Sequence, residues 1–162
     1  MPGTTLAQFA AAIASGAIET IDLTQPLSEE TPVLVLPPPF GQTAAFSREE
    51  ISCYDERGVA WHWNNFTTGE HTGTHFDAPV HWVTGKDLAD NTVDTIPPQR
   101  FVGPAVVIDA SAQAAADSDF VLTADFIRAW EAVHGEIPAG SWVLFRTDWS
   151  KRPLTAAQFE YA

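Results

Sequence analysis

The sequence has one cysteine, few basic residues and no long apolar run, and each shortage excludes a class of protein. Because Cys53 has no second cysteine to pair with, an internal disulfide and a zinc site built from cysteines are excluded. Eight Lys and Arg stand against 21 Asp and Glu, so the net charge of −13 argues against binding to nucleic acid or to an anionic membrane. No apolar run approaches the roughly 18 residues of a membrane span. A lone thiol fits a reducing compartment, so we expect a cytoplasmic protein.

The composition is that of a folded globular chain. Apolar residues make up 45% and charged residues 18%, and the length of 162 residues predicts one domain over residues 1–162. At the amino end, Thr4 or Thr5 caps an amphipathic helix that stops at Gly16. Alternating apolar residues then predict a strand over Glu19 to Thr24 and another around Val59 to Trp63.

The last third of the chain has the pattern of a βαβ unit. Residues 101–109 form a nearly continuous apolar run, as expected of a strand buried on both faces, and Ala112 to Ala116 is interpreted as a small loop. Thr123 caps a helix that Gly135 ends, and Trp142 to Phe145 is a second buried strand. Strand, helix and strand in this order predict an α/β fold.

One short segment carries the chemistry. Three of the five histidines fall within residues 71–81, with Asp77 among them, at spacings of 4, 2 and 4. A shared helical face is disfavoured because Gly73 weakens a helix and Pro79 restricts the residue before it. We predict a turn that wraps His71, His75 and Asp77 around one point. Gly73 would supply the unusual backbone angles, and Thr72 and Thr74 would bond locally.

The residue types of this segment suit a divalent metal. Two imidazoles and one carboxylate are ligands for zinc, manganese or iron, and three protein ligands leave positions open for catalysis. A metal-bound water loses its proton near pH ~7, which generates a nucleophile in neutral solution. His81 is then the candidate general base, four residues beyond Asp77.

The remaining histidines and aromatic residues carry weaker signals. His62 is predicted to lie on the solvent side of its strand, and His134 to complement a helix dipole. Large aromatic side chains are more often core than pocket. Trp82, which directly follows His81, is the strongest candidate for contact with a substrate, and Trp63 and Phe40 are the others.

The run His71-Thr-Gly-Thr-His75-Phe-Asp77-Ala-Pro-Val-His81 resembles the His-x-Gly-Thr-His-x-Asp-x-Pro-x-His signature of the cyclase family of metal-dependent hydrolases. That family includes bacterial kynurenine formamidases and isatin hydrolases. The likeness continues from about Gly16 along nearly the whole chain. It is strongest toward the isatin hydrolases, in the stretches 69–70, 81–87, 122–125, 129–131, 134–137 and 146–149. Where formamidases carry Pro-Trp-Pro-Gly, this chain has Leu36-Pro-Pro-Pro-Phe40, which also favours the isatin type.

The resemblance implies a swivelling β/β/α fold and hydrolysis of the amide bond in a small aromatic amide or lactam. His71, His75 and Asp77 would be the metal ligands, and His81 would move the proton. The metal would be Mn2+, with Zn2+ as the alternative. Family members run well past residue 162, and their second half supplies a further His and a Glu or Gln at the metal. We therefore expect this chain to lack the C-terminal part of the family domain, or to receive those ligands from another chain.

Two alternatives differ in class. In the first, the chain is a non-catalytic remnant or subunit of the family; an uncovered strand at Trp142 to Phe145 would drive self-association, and we expect a homo-oligomer, dimeric or higher. In the second, His75, Asp77 and His134 form the 2-His-1-carboxylate site of an Fe(II) oxygenase. That second alternative requires a jelly-roll chain, which the βαβ pattern opposes.

Overall fold

The computed structural model describes residues 4–151, and its chain divides into two compact units. Among the described residues, the first unit comprises residues 4–31 and 44–74, and the second comprises residues 32–43 and 75–151. The boundary after Thr74 falls inside the histidine-rich segment. A single domain over residues 1–162 stays a prediction.

The first unit begins with helix α1, Thr5–Ala14. Thr4 Oγ1 accepts a hydrogen bond from Ala7 N at 3.4 Å, and Gly16 follows the helix with φ +76°, so the predicted amino-terminal helix is confirmed. The strand predicted over Glu19 to Thr24 is wrong. Asp22 Oδ1 accepts from Thr24 N at 2.9 Å, and such a local bond takes up a backbone donor that a strand would give to its neighbour.

The first unit also contains an antiparallel hairpin. Strand β1, Ser47–Asp55, pairs with β2, Gly58–Thr67, through a two-residue turn. This confirms the strand predicted from Val59 and the two tryptophans. His62 is exposed, as predicted, whereas Ser52 is fully buried and donates to Trp61 O at 3.3 Å.

The second unit contains a parallel pair of strands. β3, Ala105–Asp109, pairs in register with β4, Trp142–Arg146, and the connection contains α2, Ser111–Ala116, and α3, Ala124–His134. Three 3-10 helices complete the unit at Pro79–His81, Pro98–Phe101 and Trp149–Lys151. The βαβ unit is therefore confirmed, and a parallel pair is not the antiparallel jelly roll that an Fe(II) oxygenase site on His75, Asp77 and His134 would need.

Local capping of α3 also agrees with the sequence. Thr123 Oγ1 accepts from Phe126 N at 3.2 Å, and Gly135 follows the helix with φ +92°. Phe120 joins the helix to the sheet, since its ring lies 5.4 Å from that of Phe126 and 6.3 Å from that of Phe145. Apolar contact therefore holds α3 against β4.

Three predictions for this unit are corrected. Ala112 to Ala116 lies in helix α2 instead of a loop, because an alanine-rich run has the highest helix propensity. The strand predicted from residue 101 begins only at Ala105, since Pro98–Phe101 forms a 3-10 helix. Ile108 is fully buried, but Val107 is 51% exposed and the apolar residues of β4 are 37–42% exposed. Strand side chains point to the two faces of the sheet, so these exposures mean that the described residues cover the faces of the β3–β4 pair only in part.

Helix lengths bear on the membrane question. Of the helices within residues 4–151, none combines the length and the apolarity needed to cross a bilayer.

Candidate metal centre

The segment that carries the predicted ligands is a turn. Residues 71–74 are turn and bend, residues 75–78 are irregular, and helical backbone begins only at Pro79. Gly73 has φ +64°, the left-handed region that side chains with a Cβ disfavour. Both the non-helical backbone and the role of Gly73 are as predicted.

Within the described part of the chain, neither threonine of the turn makes the local hydrogen bond that the sequence predicts. Thr74 Oγ1 accepts from Gln25 N at 2.9 Å, a contact 49 residues away along the chain. Thr72 is buried, and its Oγ1 has no hydrogen-bond partner among residues 4–151. A buried hydroxyl in this position is of the kind that water or a ligand satisfies.

His71 lies at the carboxyl end of the first unit. Its side chain is 32% exposed, and Nε2 lies 3.6 Å from Oε1 of Glu70. The neighbouring carboxylate comes from the Gly69-Glu70 pair that precedes the signature. The ring is therefore partly shielded while the carboxylate beside it remains in solvent.

In the second unit, Asp77 lies close to two histidines. Its Oδ1 is 3.1 Å from Nε2 of His75, and a carboxylate oxygen and a ring nitrogen of His81 lie within 4.8 Å of each other. Imidazole and carboxylate groups are both donors that Mn2+ and Zn2+ accept, so Asp77 has a suitable second donor in each of these two contacts. The division of roles, with His75 as ligand and His81 as base, stays a prediction.

Two residues that the sequence reasoning did not single out hold the backbone at His81. Val80 N, inside the 3-10 helix Pro79–His81, donates to Asn91 O at 2.9 Å. Gly85 is buried, and a Cβ there would overlap the carbonyl oxygen of Pro79. Gly85 N also donates to Trp82 O at 2.9 Å, a tight turn that the Thr-Gly pair could have signalled.

The predicted substrate contacts are all exposed aromatic residues. Trp82 is 60% exposed, and its ring lies edge-on to the His81 ring at 4.7 Å. Phe40 is 63% exposed at the end of a turn in which its N–H donates to Pro37 O, and Trp63 is 54% exposed on β2. Their contact with a substrate stays a prediction. His134 instead packs its ring 4.6 Å from that of Trp130 on α3.

A charged network occupies the carboxyl ends of both parallel strands. Arg146 at the end of β4 contacts Asp109 at the end of β3, with Nη1 3.3 Å from Oδ2. It also donates from Nε to Oδ1 of Asp148 at 2.7 Å, and Lys151 Nζ reaches Oδ2 of Asp148 at 2.9 Å. The hydrogen bond from Arg146 and then that from Lys151 lower the pKa of Asp148 from 3.8 to about 2.

The variant Asp148→Asn is expected to make the free energy of unfolding less dependent on pH between pH 2 and 5. A carboxyl whose pKa is lower in the folded state stabilises the fold above its unfolded pKa of 3.8, and this contribution disappears as the pH falls toward 2. Asparagine tolerates the φ of +56° at this position. Urea unfolding between pH 2 and 5 measures the effect, with Asp94→Asn as the matched control. Equal pH dependence in the wild type and in Asp148→Asn would contradict the prediction.

The variant Gly73→Ala is expected to destabilise the fold by about 1–2 kcal/mol, because a Cβ is disfavoured at φ +64°. The added methyl would also lie 3.1 Å from Leu27 Cδ1. Urea unfolding and Mn2+ titration measure stability and metal affinity, and both should fall. Gly41→Ala, where nothing lies within 4 Å of the added Cβ, is the control and should change neither. A Gly73→Ala protein as stable as that control would contradict the prediction.

Comparison with known proteins assigns the chain to a family. A family model described as "Putative cyclase" matches residues 21–161. An isatin hydrolase of Roseibium aggregatum is 51% identical over 155 residues, which are 95% of this chain and 59% of that protein. The structure of isatin hydrolase A from Ralstonia solanacearum has a TM-score of 0.91 at 59% identity and covers 98% of this chain and 60% of its own.

A further structure, of an isatin hydrolase bound to the product analogue thioisatinate, has a TM-score of 0.87 at 51% identity and covers 91% of this chain and 56% of its own. The chain thus spans about 60% of the length of these relatives. The resemblance suggested by residues 71–81 is thereby confirmed over most of the sequence. This chain belongs to the cyclase family.

Proposed function

We propose that the chain is the metal-binding part of a hydrolase that opens the amide bond of a small aromatic lactam of the isatin kind. Its similarity to isatin hydrolases along nearly the whole sequence is the observation that carries this proposal. The chain spans only part of those relatives. We therefore propose for it, by similarity, their hydrolytic reaction, an aromatic substrate and the swivelling β/β/α architecture. A homo-oligomeric state and a cytoplasmic location stay predictions.

His71, His75 and Asp77 would hold the metal, Mn2+ or alternatively Zn2+. The donor set supports this, since a carboxylate oxygen 3.1 Å from an imidazole nitrogen offers one hard and one intermediate ligand. When bound, such an ion polarises a carbonyl group and acidifies water. The buried hydroxyl of Thr72, next to His71, adds a polar group without a partner among the described residues.

His81 would move the proton. In lactam hydrolysis a water oxygen forms a bond to the carbonyl carbon, the C–N bond breaks, and the nitrogen leaves with a proton. His81 would accept the proton from the attacking water and donate it to the departing nitrogen, as one group acting first as base and then as acid. The 3-10 helix and the contact between Val80 and Asn91 support the backbone from which its ring projects.

Exposed aromatic rings would bind the substrate. Trp82, edge-on to His81, offers a flat face beside the proposed base, and Trp63 and Phe40 are the further candidates. A bicyclic aromatic lactam can stack on such rings, and a ring pair contributes about 0.5–1.5 kcal/mol beyond its buried area.

The test is elemental analysis combined with two hydrolysis assays. The purified chain, loaded with Mn2+ or Zn2+ and dialysed, should retain stoichiometric metal and open isatin faster than it deformylates N-formylkynurenine. Absence of retained metal would contradict the proposal.

The partial span of the chain favours one second candidate, a non-catalytic subunit of the same family. A subunit of this kind would retain stoichiometric metal but hydrolyse neither compound. Hydrolysis would appear when a chain that supplies the remaining ligands is added. Size-exclusion chromatography under the same conditions measures the expected homo-oligomer.

A further inference from the structure

The hairpin carries a second group of metal-binding side chains, on a stretch of the chain that uses none of residues 71–81. Ligand atoms of Glu50, Cys53 and His62 all lie within 4.8 Å of one another. We propose that these three side chains form a binding site for a zinc-class divalent cation that links β1 to β2.

An irregularity in β1 brings the three side chains to one face. Successive residues of a strand point to opposite faces, so Glu50 and Cys53, three positions apart, would normally diverge. The pairing shifts between Glu50 and Ser52: Glu50 lies opposite Asn64, and Cys53 lies opposite His62. One extra residue on β1 re-phases the alternation, which is how a β-bulge redirects side chains.

The distances are close to those of a real site. Zinc bonds of about 2.0–2.3 Å in tetrahedral geometry put neighbouring ligand atoms roughly 3.3–3.8 Å apart. His62 Nε2 already lies 3.8 Å from Glu50 Oε2. Cys53 lies directly across the strand pair from His62 and is exposed, and its sulfur is within 4.8 Å of the other two ligand atoms.

The ion pair between Arg57 and Glu50 uses one carboxylate oxygen of Glu50 and leaves the other available for a metal ion. Arg57 Nη2 donates to Oε1 of Glu50 at 2.6 Å, which fixes the carboxylate while Oε2 faces His62. A single cysteine excluded a site built from cysteines, but one thiolate with an imidazole and a carboxylate is a donor set that zinc accepts. The three ligands leave a fourth position for water or an added donor.

The only cysteine in the sequence makes the site spectroscopically unique. Titration of the reduced 162-residue chain with Co2+ should produce a thiolate-to-cobalt charge-transfer band, and that band can arise only from Cys53. We expect Cys53→Ser to abolish the band and His62→Ala or Glu50→Gln to weaken cobalt binding at least roughly 10–100-fold. His75→Ala, a ligand variant of the proposed hydrolase centre, should retain the band, which separates failure of one site from failure of the other.

Alkylation provides a readout that needs no variant. Zn2+ should protect Cys53 of the wild-type chain from iodoacetamide, and a chelator should restore the reaction. Circular dichroism of each variant establishes that its fold is retained. Absence of the charge-transfer band, equal cobalt affinity in folded His62→Ala and wild type, or alkylation unaffected by Zn2+ would each overturn the proposal.

Discussion

The variant His75→Ala is expected to lose the metal of the 71–81 segment, and hydrolysis with it. His75 Nε2 lies 3.1 Å from Oδ1 of Asp77, so the substitution removes one of the three proposed ligands and the imidazole that contacts this carboxylate oxygen. Loss of an outer-shell partner alone costs roughly 10–100-fold in metal affinity, and loss of a direct ligand costs at least as much. Elemental analysis after dialysis should show retained Mn2+ or Zn2+ falling to below about a tenth of the wild-type value.

Elemental analysis counts all bound metal ions, so the experiment must distinguish metal in the 71–81 segment from metal at the proposed hairpin site. We therefore place His75→Ala in a Cys53→Ser background, in which the second proposed site has lost its thiolate. His134→Ala is the matched control, because that ring packs on Trp130 at the end of α3 and should retain the metal. Stoichiometric metal in the double variant would remove His75 from the ligand set.

The variant His81→Ala is expected to retain metal and lose turnover by about 10²–10⁴-fold, the usual contribution of a positioned acid–base group. Its ring projects from a 3-10 helix beside Asp77 and Trp82, where it can exchange a proton with water and with a leaving nitrogen. The steady-state rate of isatin hydrolysis measures the effect.

Trp82→Phe is the companion variant for His81. Phenylalanine keeps an aromatic ring against the imidazole at the position where Trp82 lies 4.7 Å away, so it perturbs the substrate surface but not the proton transfer. We expect a raised KM with little change in kcat. If His81→Ala hydrolyses isatin at the wild-type rate, His81 is not the base.

Local patterns were sufficient for the elements whose causes lie within a few residues. Thr4 caps α1, Thr123 caps α3, and Gly135 ends α3, as capping rules predict. The turn at Gly73 also follows from the sequence, because a glycine between histidines and a proline six residues later exclude a helix. These features need no partner from elsewhere in the chain.

Prediction failed where a segment depends on a distant neighbour. The alternation over Glu19 to Thr24 has the pattern of a strand, yet the described chain pairs it with no other strand, and Asp22 bonds locally instead. The strands predicted to be buried are half exposed because burial depends on what covers the sheet, not on the apolarity of the residues. Periodicity reports a preference, and tertiary pairing decides whether it is realised.

For the candidate metal centre, composition and spacing alone were enough to select histidine and carboxylate ligands, since one cysteine and a compact cluster of three histidines left few other sources. Only the tertiary structure revealed that Thr74 binds the backbone of Gln25, that Asn91 holds Val80, and that a bulge brings Glu50 and Cys53 to one face. Residue type and short spacing determine which chemistry is possible. Contacts between residues far apart in the chain depend on how the backbone packs, and they decide which of those side chains meet.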